Sequence, residues 1–408
     1  MKTYLVGGAV RDQLLNLPVR ERDWVVVGAT PDMMLIQGFK TVGKDFPVFL
    51  HPTTQEEYAL ARRERKTGVG YTGFDCVADS TITLEDDLAR RDLTINAIAQ
   101  NEDGKLIDPY GGQQDLERKI LRHVSPAFVE DPLRVLRVAR FAARFFKLGF
   151  TIAPETLELM RTITKSGELT HLVPERIWKE TEIALSEQTP SIFFKTLRDC
   201  DALQVLMPEI DNLFGVPQPP QYHPEVDTGI HIMMVIDAAA RAGEDVITRF
   251  AALTHDLGKG VTPKEEWPRH IGHEEKSVPL IEILCERLRC PRDFKELAVT
   301  VARYHTHCHR ALELRPSTMV DLFESLDAFR RPQRFTQVLG ACAADFHGRT
   351  GFEDKIYEPA PFLQQAFAIT SSVSTQPLTD AGVSGKAFGE KLRELRINAI
   401  KQFKANLA

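Results

Sequence analysis

The sequence lacks the features of a secreted, zinc-ribbon or membrane protein. Its cysteines include no CxxC pair, so we expect neither a disulfide framework nor a thiolate zinc site. No stretch approaches the roughly 18 uninterrupted apolar residues of a membrane helix. The first apolar run ends at Arg11 and Asp12 without a small-residue cleavage site. We therefore expect a cytoplasmic protein without a membrane partner. The scattered cysteines are Cys76, Cys200, Cys285, Cys290, Cys308 and Cys342.

An excess of positive charge is also lacking. The chain has 51 basic and 57 acidic residues, a formal net charge of −6 and a pI near 6.1. Taken alone, this argues against a general nucleic-acid binder, because phosphate partners select basic surfaces. The contents of 43% hydrophobic and 26% charged residues are ordinary for a globular protein, and 408 residues suggest two to four domains.

The pattern of elements predicts an α+β protein with four parts. Residues 1–125 form a mixed head, in which we expect strands at Tyr4–Val6, Trp24–Val27, Phe46–Leu50 and Glu57–Ala61. Residues 126–222 form a helical neck and body, residues 223–350 a separate helical domain, and residues 351–408 a helical tail. The Pro-rich stretch Phe214–Pro224 is interpreted as a connector. Helices are predicted at Pro132–Lys147, Pro154–Thr164, Glu175–Leu185, Ile192–Leu203, His231–Ala242, Val278–Leu288 and Phe294–His305.

A double glycine near the start suggests a phosphate site. The run Leu5-Val-Gly-Gly-Ala-Val-Arg-Asp12 leads from a strand into a helix through Gly7 and Gly8. Glycine permits close approach of the backbone, and a helix N-terminus offers free N–H groups. Arg11 could add a charge-assisted contact. An ordinary turn remains the competing interpretation.

Two carboxylates follow the turn, on the next predicted strand. Glu21 and Asp23 are two residues apart, so on a strand they would share a face. Adjacent carboxylates repel each other, and a cation such as Mg²⁺ is a reason to hold them together. A solvated acidic strand end is the alternative for the pair alone.

These motifs resemble the head of the class II tRNA nucleotidyltransferases, the CCA-adding enzymes of the polymerase-β-like superfamily. Three further motifs occur in the family's order: Arg90-Arg-Asp-Leu-Thr-Ile-Asn96, Glu130-Asp-Pro-Leu-Arg134 and Pro174-Glu-Arg-Ile-x-x-Glu180. Glu21 stands where many members carry Asp. The resemblance implies a third carboxylate, for which Glu56 and Glu57 are both possible.

The predicted helix over Pro132–Lys147 carries a cationic stripe. Residues 118–147 contain eight basic and two acidic residues, a net charge of +6. Because no acids alternate with the bases, i,i+4 pairing does not explain them, and we expect phosphate as the partner. The stripe comprises Arg134, Arg137, Arg140, Arg144 and Lys147.

The resemblance assigns roles to this region. It implies that Asp131 and Arg134 read the base of CTP or ATP, although Asp131 could equally cap the helix. Arg137, Arg140 and Arg91 would contact triphosphate or sugar. The implied partners are Mg²⁺ and the tRNA 3′ end and acceptor arm, with the protein a monomer or weak homodimer.

Histidine is concentrated in the third part. Eight of the twelve histidines lie between residues 223 and 309, and His255-Asp256 ends a predicted helix. This resembles the HD phosphohydrolase superfamily, which implies metal ligands His231, His255, Asp256 and Asp345, with His305 as an alternative to Asp345. Imidazole and carboxylate suit a transition metal, with Ni²⁺ the expectation over Mn²⁺ or Co²⁺. The implied chemistry is phosphoester hydrolysis, as a 2′,3′-cyclic phosphodiesterase, 2′-nucleotidase and phosphatase.

Three other interpretations remain. A bacterial poly(A) polymerase shares the head motifs, but residues 386–408 are only mildly basic. An HD-type phosphohydrolase could carry a head that only senses nucleotide. An RNA-binding scaffold would explain neither predicted metal site.

Overall fold

The structure is a computed structural model that describes residues 1–19, 21–42, 48–66, 74–77 and 79–407, with only the backbone at 64–66 and 74–77. It divides into two compact units. The first comprises Met1–Ala184 and Ile192–Leu206, and the second comprises Leu185–Ser191 and Met207–Ala408. Sheet is concentrated in the first unit, and the remainder is mostly helical, which confirms the expected α+β class.

The strands lie in the first 152 residues. Seven of them form one mixed sheet in the order β3-β4-β5-β2-β1-β8-β9, while β6 pairs with β7 and β10 with β11. The strands are β1 Lys2–Val6, β2 Asp23–Val27, β3 Lys40–Val42, β4 Val48–Leu50, β5 Glu57–Leu60, β6 Arg63–Lys66, β7 Phe74–Val77, β8 Ala99–Gln100, β9 Leu106–Ile107, β10 Ile120–Leu121 and β11 Thr151–Ile152.

Nineteen α-helices are described. They are α1 Gly8–Leu14, α2 Pro31–Ile36, α3 Leu84–Ala89, α4 Gly112–Arg118, α5 Leu133–Phe145, α6 Pro154–Lys165, α7 Pro174–Ser186, α8 Ser191–Asp199, α9 Ala202–Leu206, α10 Pro208–Asp211, α11 Thr228–Arg241, α12 Val246–Thr254, α13 His273–Leu288, α14 Arg292–His309, α15 Pro316–Ser325, α16 Pro332–His347, α17 Pro359–Ser371, α18 Gln376–Asp380 and α19 Gly385–Leu407. In the described part of the chain, no helix has both the length and the hydropathy needed to cross a membrane.

The head sheet is held by apolar residues on both faces. Val25 and Val26 alternate along β2, and each enters a different core cluster. The expected strands are confirmed at β1, β2 and β5. For the strand expected at Phe46–Leu50, β4 confirms residues 48–50, while Phe46 and Pro47 lie outside the described residues. The short pairs β8–β9 and β10–β11 are additions that no strong sequence pattern predicted.

One predicted helix is interrupted. The expected helix over Ile192–Leu203 is wrong as a single element, because α8 ends at Asp199 and α9 begins at Ala202. Between them, Asp201 has a φ of 60°, in the left-handed region that no α-helix interior adopts.

The Pro-rich stretch is also not a connector. The division between the units falls at Met207, so Phe214–Pro224 belongs wholly to the second unit. Gln218 is 1% exposed, and Pro217 forms an isolated β-bridge with Asp227. Proline excludes helix here, as expected, but the segment is packed into a domain. The four-part division otherwise stays a prediction.

Candidate functional site

The glycine turn and the head carboxylates lie side by side. In the antiparallel pairing of β1 with β2, Val6 is opposite Asp23. Gly7 follows Val6 with a φ of 66°, and Gly8 begins α1. A Cβ on Gly7 would lie 2.7 Å from Nη1 of Arg91, so only glycine fits both the conformation and the contact. The strand register thus brings together the turn, a carboxylate and an arginine.

The strand register also distinguishes Glu56 from Glu57, the two candidates for the third carboxylate. Glu57 is opposite Asp23 in the parallel pairing of β2 with β5, so both side chains extend from one face. Glu56 lies on the other face, where it accepts a hydrogen bond from Trp24 Nε1 at 3.0 Å. Partial desolvation by the surrounding protein raises the pKa of Asp23, which Arg91 opposes and the negative charge of Glu21 reinforces. Glu57 therefore shares a face with Asp23, and Glu56 does not. Glu21 precedes β2, so the expected placement of Glu21 and Asp23 on one strand is not confirmed.

Arg91 is held in place from two sides. Its Nη2 donates to Asp87 Oδ2 at 3.2 Å, and its Nη1 donates to the backbone oxygen of Asn96 at 3.4 Å. Burial lowers its pKa, which the charge of Asp87 opposes. A guanidinium held against Gly7 would place fixed positive charge beside the turn.

The cationic stripe of α5 is paired with carboxylates from distant parts of the sequence. Three of its arginines donate to acids: Arg137 to Asp92 at 2.7 Å, Arg140 to Glu180 at 2.5 Å, and Arg144 to Asp12 at 2.8 Å. The argument that phosphate must be their partner because acids are absent is therefore wrong. These acids could not be recognised from the local sequence, because they lie 45, 40 and 132 residues from their arginine partners along the chain.

Arg11 is also placed differently from the expectation. It is 3% exposed, donates to Asp12 and Asn96, and lies 5.1 Å from the ring centres of Phe141 and Phe145. Burial lowers its pKa, which the charge of Asp12 opposes. The expectation that Arg11 contacts phosphate is not met in this structure, where it joins α1 to α5.

The predicted base readers lie at the start of α5. Asp131 Oδ1 accepts a hydrogen bond from Leu133 N at 3.0 Å, so the capping role is present. Arg134 is 7% exposed and donates to the backbone oxygens of Ala127 and Arg90 at 2.7 and 2.5 Å. A guanidinium has five N–H donors, and these two bonds fix its plane. The contact with Arg90 places Arg134 next to the Arg90–Asn96 motif.

In the second unit, the four predicted HD ligands converge from three segments. His231 lies on α11, His255 and Asp256 follow α12, and Asp345 lies on α16. His231 Nε2 is 2.9 Å from Asp345 Oδ1, His255 Nε2 is 3.2 Å from Asp256 Oδ2, and His255 Nε2 is 3.8 Å from Asp345 Oδ2. All four residues are at most 4% exposed.

Asp345 and His305 are both part of the cluster. Ligand atoms of His231, His255 and Asp256 lie within 4.8 Å of one another, and Asp345 contacts the first two of these residues. Asp256, His273 and His305 form another such group. Both Asp345 and His305 therefore lie beside the other predicted ligands, and the choice between them stays a prediction.

The donor set suits a transition metal. His255 Nε2 and Asp256 Oδ1 are buried, and each has a charged or imidazole neighbour at 3.2 Å, but among the described residues neither atom forms a well-aligned hydrogen bond. Burial raises the pKa of Asp256, but the charges of His255 and Lys259 outweigh it and hold that pKa well below its usual value. Buried anionic oxygens beside imidazole nitrogens that form no well-aligned hydrogen bond are what a metal site needs.

Sequence reasoning missed several members of this cluster. Glu225, with a 3% exposed side chain, lies 3.1 Å from His223 Nδ1 and 2.9 Å from His231 Nδ1. His273 Nε2 lies 3.2 Å from Asp256 Oδ1, and His309 Nε2 lies 2.6 Å from Asp345 Oδ2. The local excess of histidine was the available signal, but helix packing decides which histidines meet.

The two sites define a class of protein, with a polymerase-type head and an HD domain in one chain. The description "Poly A polymerase head domain" matches residues 3–122, "Probable RNA and SrmB-binding site of polymerase A" matches residues 149–214, and "HD domain" matches residues 228–329. Asp345 lies beyond the last of these ranges.

Curated relatives are similar over the full length. The "Multifunctional CCA protein" of Thioalkalivibrio sulfidiphilus is 61% identical over 99% of this chain and 99% of its own. That of Hahella chejuensis is 59% identical over 100% of this chain and 97% of its own. This chain belongs to the multifunctional CCA protein family.

Solved structures show the same fold at low sequence identity. The apo form II of a CCA-adding enzyme has a TM-score of 0.67 and 22% identity, covering 97% of this chain and 87% of that one. The Bacillus stearothermophilus CCA-adding enzyme in complex with CTP has a TM-score of 0.63 and 23% identity, with the same coverages. The Thermotoga maritima enzyme complexed with tRNA has a TM-score of 0.60 and 20% identity, covering 100% and 92%.

Proposed function

We propose that the head adds and repairs the 3′-terminal CCA of tRNA, using CTP and ATP without a nucleic-acid template. The observation that carries the proposal is the strand register that places Asp23 beside the glycine turn, with Glu57 on the same face. The family relationship and the relatives solved with CTP and with tRNA support it.

In this reaction the terminal hydroxyl of tRNA attacks the α-phosphorus of the nucleotide. The new oxygen–phosphorus bond forms as the bond to the β-phosphate oxygen breaks, pyrophosphate leaves, and the hydroxyl proton is released. Magnesium held by Glu21, Asp23 and Glu57 would neutralise the triphosphate and favour ionisation of the hydroxyl. The protein's own contribution is positioning and fixed charge.

The arginines divide into two groups in this proposal. The first group contacts the triphosphate or sugar. It comprises Arg91, beside the turn, and Arg137, whose side chain is 35% exposed. Gly8 offers its backbone N–H to the same phosphates. Asp131 and Arg134 read the base: the carboxylate accepts from the exocyclic amine that cytosine and adenine share. The second group is structural: Arg11 holds α1 against the rings of Phe141 and Phe145 on α5, and Arg140 holds α5 against Glu180 on α7.

An assay on a tRNA lacking its CCA end tests the head. With CTP and ATP, we expect addition of three nucleotides, and with ATP alone, little addition. Long A tails would instead support the poly(A) polymerase alternative. No incorporation, with full hydrolysis of small phosphoesters, would support the nucleotide-sensing alternative.

We propose further that the HD cluster hydrolyses phosphoesters, including 2′,3′-cyclic phosphates. His231, His255, Asp256 and Asp345 would hold a transition metal, for which Ni²⁺ is our first choice, and the metal would supply a nucleophilic hydroxide near neutral pH. Lys259 Nζ lies 2.7 Å from Asp256 Oδ2 and donates to Gln218 at 2.6 Å, which fixes the shared carboxylate. Hydrolysis of 2′,3′-cyclic AMP by metal-loaded protein, lost after chelation, tests this activity. A cytoplasmic setting and a monomer or weak homodimer stay predictions.

A further inference from the structure

Asp345 is held through both of its oxygens. Oδ1 accepts from His231 Nε2 at 2.9 Å, and Oδ2 accepts from His309 Nε2 at 2.6 Å. Arg349 Nη2 lies 3.5 Å from Oδ2. Rotation about the last side-chain bond of aspartate is soft, so a single hydrogen bond leaves the carboxylate plane poorly defined. The contact from His309 supplies the second constraint.

His309 is itself held by a tyrosine outside the HD match. The hydroxyl of Tyr357, in the segment before α17, lies 2.9 Å from His309 Nδ1. The Asp345 carboxylate can only accept, so Nε2 donates to it, which leaves Nδ1 to accept from the hydroxyl of Tyr357. The Tyr357 hydroxyl thus favours the arrangement in which Nε2 carries the hydrogen that points at Asp345.

We infer that Tyr357 and His309 are positioning residues that orient the Asp345 carboxylate for metal binding. The inference rests on the proposed metal site of the HD cluster and assigns part of that site to the C-terminal segment. A partner that orients a ligand typically changes metal affinity 10- to 100-fold when it is removed. The ring of Tyr357 packs against Phe346 and His309, with ring centres 5.1 and 5.6 Å apart. The hydroxyl takes no part in that packing, so its contact with His309 can be tested separately.

The first test compares Tyr357→Phe with Tyr304→Phe in full-length, metal-free protein. Both changes remove one hydroxyl, but the ring of Tyr304, on α14, contacts exposed His307. Tyr304→Phe is therefore a control for the loss of a hydroxyl. Titration with Ni²⁺ alone, with His255→Ala as the baseline, should show about tenfold weaker binding for Tyr357→Phe. Binding by Tyr304→Phe should be unchanged.

A spectroscopic measurement separates orientation from packing. NMR of metal-free protein with isotope-labelled histidine should show that His309 carries a hydrogen on Nε2 and none on Nδ1. This tautomer should become mixed in Tyr357→Phe. Loss of ring packing alone would leave it unchanged.

Two substitutions of His309 complete the test. Glutamine places an N–H near the position of Nε2, so His309→Gln should retain most of the Ni²⁺ affinity that His309→Ala loses. Equal loss in both would make His309 a ligand and overturn the inference. Wild-type affinity in Tyr357→Phe would also overturn it. If the wild type itself bound no Ni²⁺ above the baseline, the proposed metal site would be wrong, and the inference with it.

Discussion

The head site and the HD site differ in whether their proposed metal ligands are already in contact with one another without substrate. The head site is open: Asp23 and Glu57 are exposed at the starts of β2 and β5, Glu21 is exposed before β2, and among the described residues they form no compact group of ligand atoms. The HD site is closed: His231, His255, Asp256 and Asp345 are buried and in mutual contact.

This difference suits the chemistry proposed for each site. A triphosphate brings its own oxygen ligands, so an open set of carboxylates is sufficient to share Mg²⁺ with it. A transition metal held by the protein alone needs its ligands placed in advance. The comparison predicts that the head depends on individual carboxylates, whereas the HD site depends on a connected cluster.

The largest effect is expected at the head. Asp23→Ala should reduce incorporation of CMP and AMP by at least about 10³-fold, because electrostatic stabilisation of the transferring phosphate is lost. Binding of tRNA, measured by filter retention, should remain within about threefold. Near-normal incorporation would show that Asp23 is not a metal ligand.

The next effect concerns the HD cluster. His255→Ala should abolish hydrolysis of 2′,3′-cyclic AMP, because it removes a buried ring nitrogen that lies 3.2 Å from Asp256 and is a proposed metal ligand. The rate is measured on Ni²⁺-loaded protein at pH 7. His307→Ala, at an exposed histidine on the same helix as His305, is the matched control and should retain the rate. Equal loss in both would indicate a nonspecific effect.

A smaller difference should separate Glu57 from Glu56. Glu57→Gln should lower incorporation about 10- to 100-fold, since a ligand charge facing Asp23 is lost. Glu56→Gln removes a carboxylate paired with Trp24 on the other face and should have little effect. The single-turnover rate is the measurement, and the reverse ranking would contradict the register argument.

The smallest effect concerns stability. Burial raises the pKa of Asp92, but the charge of Arg137 outweighs it, so its pKa in the folded protein lies below the usual 3.8. The ion pair therefore stabilises the fold above pH 3.8 and is lost as the pH falls through the lowered value. Asp92→Asn should cost roughly 2 kcal/mol at pH 7, less than a fully buried pair because Arg137 is partly exposed.

Urea unfolding of wild type and Asp92→Asn at pH 7 and near pH 3 checks this prediction. The difference in unfolding free energy should shrink at the lower pH. A constant difference at both values would show that the hydrogen bonds of Asp92, and not its charge, matter.

The sequence was sufficient where function depends on neighbours along the chain. The turn before α1 and the His-Asp pair after α12 were predicted and found, and Asp23 begins β2, whereas Glu21 precedes that strand. It was insufficient where partners come from other elements. Neither the pairing of Arg137 with Asp92 nor the opposite faces of Glu56 and Glu57 can be obtained without helix packing and strand register.

The most direct test of two independent sites measures nucleotide addition and phosphoester hydrolysis on the same preparations of Asp23→Ala and His255→Ala. Each protein receives a tRNA lacking CCA with CTP and ATP, and in parallel 2′,3′-cyclic AMP with Ni²⁺. The account predicts that Asp23→Ala loses addition and keeps hydrolysis, while His255→Ala keeps addition and loses hydrolysis. Loss of both activities in either variant, with the protein folded by circular dichroism, would contradict it.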